Sequence, residues 1–348
     1  MSECIVYNDD ILVDLTGSSV FYGSPEEVVD DAKTAVPKLQ SAVEKLQRGF
    51  GSDKDLALIA KLSPVRSDSV TGTSWEWTWN NSKLYWNNKD LVDEHVSALA
   101  LLLRPRCLPN GSLAYAEKLR VLELNGNRIC DAGASALAEV ISPQRLPSGR
   151  LAPGLALEEL ALSGNKIGAA GAAALARALS PCADPVSGAV LVNRSLRTLT
   201  LSGNPIGPTG ARSLAEGPLR AAEPVPGAED EAGASSALET LHIGGCGVGD
   251  EGARFLAQAL CSAGAGASLR SLFLGDNGIG DRGALSIASA LQELAASQRT
   301  SGRMSLQKLN LWGNPISSAA RETLLDARDH VNACRQSGEP MAIAVDDK

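Results

Sequence analysis

Leu157–Leu179, LEELALSGNKIGAAGAAALARAL, is the stretch whose reading decides the fold. Leucines at 157, 160 and 162, Asn165 and Ile167 are followed by Gly171 and by Leu175, Ala176 and Leu179 at helical spacing. The first half alternates as a strand does, so Leu160 and Leu162 share the inward face while Glu159, Ala161 and Ser163 point outward. The frame returns at Leu119, Leu157, Leu196, Leu238, Leu269 and Leu306. A degenerate first copy opens at Asn81, with Lys89 in place of the asparagine and His95 in place of the glycine. One strand and one helix cannot bury their own apolar faces, so consecutive units must stack.

Each recurring position has a physical task. Asn165 and its equivalents Asn127, Asn204, Asn277 and Asn314 turn the chain out of the strand, and their amides can satisfy backbone groups that the turn leaves unpaired. Cys246 holds this place in one copy. The glycines at 133, 171, 210, 252 and 283 let each helix begin close to its neighbour, and Ala320 replaces them in the last copy. Openings are spaced by 31 to 42 residues, while the strand–helix core stays at 23. The excess therefore lies in linkers after the helices, such as SPQRLPSGRLAPGLA from Ser142 and LRAAEPVPGAEDEAGASSA from Leu219. Their Pro, Gly and Ser content predicts exposed loops along one edge.

The frame is that of a leucine-rich repeat, and it resembles the ribonuclease-inhibitor-like subtype, whose repeats carry a helix after the strand. The resemblance covers residues 81–335. It implies an α/β leucine-rich repeat solenoid, a horseshoe with parallel strands on the concave face and helices on the convex face. It also implies protein partners, and a structural role for Cys246, since family members tolerate cysteine there. The repeats here exceed the roughly 20 to 29 residues usual for the family, a departure that the linkers account for.

Outside the array the sequence predicts three further parts. Residues 1–73 read as a hairpin and helical segment serving as a cap, with Ile5–Tyr7 and Ile11–Leu15 as strands about Asn8-Asp9-Asp10 and a helix start at Ser24-Pro25-Glu26-Glu27. The solenoid with its C-terminal capping helix spans 74–335, and Trp75, Trp77 and Trp79 share one strand face as an apolar lid at its beginning. Residues 336–348 read as a disordered tail.

Composition limits the function classes. Of 348 residues 44% are hydrophobic but only 4% aromatic, which suits narrow layers of Leu, Ala, Val and Ile. A net charge of -8 and a pI near 5.1 argue against a broad electrostatic grip on nucleic acid or anionic lipid. Seven dispersed cysteines with no Cys-x-x-Cys pair read as reduced thiols rather than a disulfide framework or zinc site. With no signal peptide at the N-terminus and no apolar run of membrane-spanning length, the expectation is a cytoplasmic protein, the nucleus being the alternative.

No phosphate loop, metal-ligand spacing or nucleophile–base pair stands out; His242 and Cys246 lie four apart but face opposite ways in the repeat. The expected function is thus a non-catalytic protein–protein interaction scaffold with no cofactor and no metal. Its contact candidates are outward strand residues: Tyr85, Glu123, Thr200, His242, Phe273, Asn310 and Trp312. At the second place of each repeat Arg120, Glu158, Arg197, Glu239 and Arg270 alternate in sign, which predicts a charge ladder fixing register. Two other readings stand beside the scaffold. One is a GTPase-activating protein of the Ran-directed type, whose acidic C-terminal extension the ending EPMAIAVDDK lacks. The other is a sensor-like fragment related to nucleotide-binding innate-immune receptors.

Overall fold

The computed structural model describes residues 83–104, 119–146, 154–184, 190–219, 236–262, 268–301, 305–335 and 340–346, with the short pieces 4–7, 11–14, 106–107, 113–114, 149, 151–152 and 186–188. The helices expected between Ser24 and Leu62 and the Trp75, Trp77 and Trp79 face lie outside the described residues. Near the N-terminus β1 (Cys4–Tyr7) pairs antiparallel with β2 (Ile11–Asp14), Tyr7 opposite Ile11, about the Asn8-Asp9-Asp10 break.

The array then runs β3 (Lys83–Tyr85), α1 (Asp93–Leu103), β4 (Arg106–Cys107), β5 (Leu113–Ala114), β6 (Val121–Glu123), α2 (Asp131–Ile141), β7 (Gln144–Arg145), β8 (Leu151–Ala152), β9 (Glu159–Ala161), α3 (Ala169–Leu179), β10 (Cys182–Ala183) and β11 (Val190–Leu191). It continues β12 (Thr198–Thr200), α4 (Gly207–Glu216), β13 (Thr240–His242), α5 (Gly249–Ser262), β14 (Ser271–Phe273), α6 (Asp281–Ser301), β15 (Lys308–Asn310), α7 (Ser318–Cys334) and β16 (Ala342–Ala344). Eight of these strands form one sheet in the order β16-β15-β14-β13-β12-β9-β6-β3, every neighbour parallel. The helices lie behind the sheet as a second layer, each against the helix before and after it. This is the α/β leucine-rich repeat solenoid that the Leu157–Leu179 frame predicts.

The core is a set of rows. Leu122, Leu160, Leu199, Leu241, Leu272 and Leu309 stand in register at the strand centres, each at most 1% exposed. Leu175, Leu214, Leu256 and Ile287 meet them from the helices. Each such side chain contributes about 1.5 to 3 kcal/mol by leaving water. Close helix stacking needs the repeat glycine: a Cβ at Gly171 would lie 2.8 Å from both Asp131 Oδ1 and Ile167 Cγ2.

Three polar ladders tie the units together. In the first, Asn165 Nδ2 donates to Leu124 O and Leu162 O at 3.0 and 2.9 Å, and its Oδ1 accepts from Ile129 N at 3.1 Å. Asn127, Asn204, Asn277 and Asn314 bond equivalently across their own junctions. Where the next strand brings no asparagine, the turn closes on itself: Ile206 N donates to Asn204 O beside Cys246, and Ile316 N to Asn314 O beside β16. The Cys246 thiol, buried and thereby raised in pKa, donates to Leu201 O at 3.2 Å. In the second ladder, an aspartate opening one helix caps the next. Asp131 Oδ1 accepts from Gly168 N and Gly171 N, Asp250 Oδ1 from Gly280 N and Gly283 N, and Asp93 and Asp281 each from one backbone N–H. The third is the alternating charge row, closed by Arg120–Glu158, Arg197–Glu239 and Arg270–Glu239 pairs.

Two expectations change. Three linkers are not plain loops: β4 with β5, β7 with β8 and β10 with β11 form antiparallel two-residue ladders, a row of small hairpins. The second and third hairpins are joined by Arg145, whose Nε and terminal nitrogen both reach the fully buried Asp184 carboxylate; Ser187 N and Oγ also donate to it. Those donors, Arg145 foremost, hold the Asp184 carboxyl well below the usual carboxylate range. A carboxylate depressed in this way stabilises the fold above its unfolded pKa of about 4 and loses that contribution as pH falls below it towards the folded value. Amide exchange should therefore give Ser187 a protection factor that is flat from neutral pH to about pH 4 and falls below it. In Arg145→Ala that protection should already be reduced at neutral pH; equal protection in the variant would refute this coupling.

The second correction is the tail. Residues 341–346 are ordered against the last repeat and supply β16, with Ile343 beside Leu309 in register. Met341 is buried, and its N–H and carbonyl bond the Asn332 amide. The β15 edge and the apolar gap beside Leu309 recruit this segment, so the expected disordered tail 336–348 does not hold there.

Candidate functional site

The sheet register turns the outward strand residues into lateral rows. One row runs Tyr85, Glu123, Ala161, Thr200, His242, Phe273, Asn310 and Ala344. It collects six of the seven predicted contact residues. The seventh, Trp312, lies in the next row beyond Gly244 and Gly275 and is 58% exposed. Tyr85 is 49% exposed at the other end. Six strand spacings of about 4.8 Å separate it from β15, so Tyr85 and Trp312 stand about 29 Å apart and cannot grip the same side chain.

The two halves of the surface differ in how their polar groups are used. Toward the N-terminus the concave groups satisfy one another: Asn87 Nδ2 donates to Glu123 Oε2 at 2.7 Å, and Asn87 Oδ1 accepts from Asn125 N. Asn125 Oδ1 then accepts from Ser163 N, and Ser163 Oγ donates to Thr200 Oγ1 at 3.2 Å. Groups already paired have little to gain from a partner. Toward the C-terminus aromatic rings replace this chain. His242 and Phe273 stack with centroids 3.9 Å apart and planes 8° from parallel. Burial lowers the His242 pKa, which keeps the ring uncharged at neutral pH.

Three features here lie outside the predicted contact set. Gly244 and Gly275 occupy outward positions in consecutive strands and leave a side-chain-free shelf beside Trp312. Asp276 has φ 55° at a turn position where the neighbouring repeats use Gly245 and Gly313 with φ 64° and 74°. Asp346, from the recruited tail, accepts a hydrogen bond from Gly313 N at 2.8 Å. The glycine run and the aspartate in a glycine place were legible signals, whereas Asp346 needed the position of β16.

His242 and Cys246, four apart in sequence, are separated by the sheet. The Cys246 thiol points into the asparagine ladder and His242 out of the sheet, so the two do not meet. Among the described residues no group of three or more His, Cys, Asp or Glu side chains is placed to hold a metal ion. Among the same residues no helix is long and apolar enough to cross a membrane.

The Leucine Rich repeat family model matches residues 115–138, 157–176, 192–215, 234–257 and 267–288, each match ending within the helix of its unit. Among solved structures the chain is similar to an internalin (inlF) from Listeria monocytogenes, 14% identical over 93% of this chain and 92% of that one, with a TM-score of 0.19. So low a score adds nothing to the fold assignment. No curated protein matches the chain. Five matched segments, each laid on one strand–helix unit of a continuous parallel sheet, make the chain a leucine-rich repeat protein.

Proposed function

We propose that the chain is a non-catalytic protein–protein interaction scaffold of the ribonuclease-inhibitor-like kind, binding a protein partner on the concave sheet. The helix that follows each strand supports the subtype. The observation that carries the function is the outward row from Tyr85 to Asn310: a preformed surface held by three ladders, with its aromatic groups toward the ends. Rigid presentation lowers the ordering cost of association, and aromatic anchors supply most of the energy in such interfaces. The free thiols of Cys130, Cys182, Cys246, Cys261 and Cys334 support a reducing, cytoplasmic setting.

Affinity capture from native lysate tests the reading. Thr200→Arg places a long charged side chain at the middle of the row, and Phe273→Ala and Trp312→Ala remove anchors. Recovery of partner should fall at least about tenfold with Thr200→Arg and with the double anchor variant. Unchanged recovery in both would reject the concave face and move attention to the hairpin row.

A further inference from the structure

We propose that the shelf beside Trp312 is a slot for an arginine or lysine side chain carried on an extended segment of the partner protein; this rests on the scaffold reading above. Gly244 and Gly275 form its floor, and their close packing keeps it free of side chains. A Cβ at Gly275 would lie 3.0 Å from Trp312 O, and one at Gly244 3.2 Å from Gly275 O. Two glycine strands in a row leave a strip about 10 Å wide, room for an extended side chain to lie flat. The exposed Trp312 indole walls one side and Phe273, stacked on His242, rises from the adjoining row.

The charge at the far end selects the occupant. Asp346 is the lateral neighbour of Trp312 and leans on Gly313 N, and exposed Asp276 lies on the same glycine from the other side, where an added Cβ would collide with its carboxylate. Two carboxylates thus flank the residue that follows an exposed indole. A cation over an indole face, with carboxylates at its head, meets both attractions at once. Lys308 shares the strand but sits four residues back from Trp312, about 13 Å away, too far to occupy the slot. An apolar side chain would use the shelf and the rings but would gain nothing from the aspartates, which is why the geometry favours a cation.

The probe is a short extended peptide, Ac-Gly-Arg-Gly-Arg-Gly-NH2, titrated against the full chain with 15N-labelled tryptophan. The five indole signals include that of Trp312, assigned by its absence in Trp312→Phe. The arginine peptide should move the Trp312 signal selectively, and Asp276→Asn/Asp346→Asn should weaken its binding by about fivefold or more. Glu322→Gln/Asp326→Asn removes the same charge from the exposed side of α7 and should change the affinity less than about twofold. The remaining indole signals show whether each variant is folded. Equal shifts from the leucine analogue, a response that survives loss of both aspartates, or no response up to about 10 mM peptide would overturn the slot. A captured partner lost with Thr200→Arg yet indifferent to the aspartate variants would overturn the slot alone and leave the scaffold standing.

Discussion

Asn165→Ala should lower the free energy of unfolding by roughly 3 kcal/mol, a large effect for one side chain of this size. The amide is buried and serves two repeats: it donates to Leu124 O and Leu162 O and accepts from Ile129 N. Alanine would leave Ile129 N without a partner and take one of the two amide bonds from each of Leu124 O and Leu162 O, which keep Asn127 and Asn204, and the emptied space is too apolar to repay the loss with water. Cys246→Ala is the internal comparison. Its thiol donates to Leu201 O, and the turn next to it has already closed through Ile206 N to Asn204 O, so the loss there should be about 1 kcal/mol. Urea titrations of the two variants against the parent chain measure the difference. Equal and small losses would mean that the asparagine ladder contributes little and that leucine packing alone holds the units.

That contrast also shows what the sequence makes legible. A repeated frame fixes the strand, the turn and the helix because each position does the same physical task in each unit, so the leucine rows, the asparagine ladder and the charge row follow from spacing. The same logic placed Tyr85, Glu123, Thr200, His242, Phe273 and Asn310 outward, and the register then brought them into one line. Features that belong to junctions rather than units were harder to see. The interrepeat cap from Asp131, Asp250 and Asp281 is written as Asp-x-Gly within a unit but acts on the next one. The hairpins had a signal too: Pro143, Pro147 and Gly149 recur in the linker before it as Pro105, Pro109 and Gly111. Pro and Gly content predicts a loop, whereas their equal offsets mark a repeated turn.

Chain truncation after Arg335 should be among the most damaging changes of all, with a loss of roughly 4 kcal/mol from the C-terminal units and a tendency to self-associate. MAIAVD keeps only the strand alternation of the frame, Ile343 and Val345 standing for Leu309 and Leu311, with no leucine, asparagine or helix after it, which is why it passes for a tail; its partners are tertiary. Met341 fills the core at 2% exposure, Ile343 and Val345 pack against it in part, and the segment receives Leu311 N through Ala344 O while giving Ala342 N to Gln307 O. Its removal exposes Leu309, Leu311 and Leu324 at the end of the array and leaves the β15 edge unpaired, a template for another chain. Met341→Ala within the full chain separates the two terms, because it keeps the strand pairing and empties only the core position, at a cost of about 2 kcal/mol. Urea unfolding with light scattering checks both: an unchanged midpoint and a monomeric truncated chain would show that β16 rests on the solenoid without supporting it. The Trp312 signal offers a further measure, since the truncated chain lacks Asp346 and retains Asp276, and so should keep only part of its affinity for the arginine peptide.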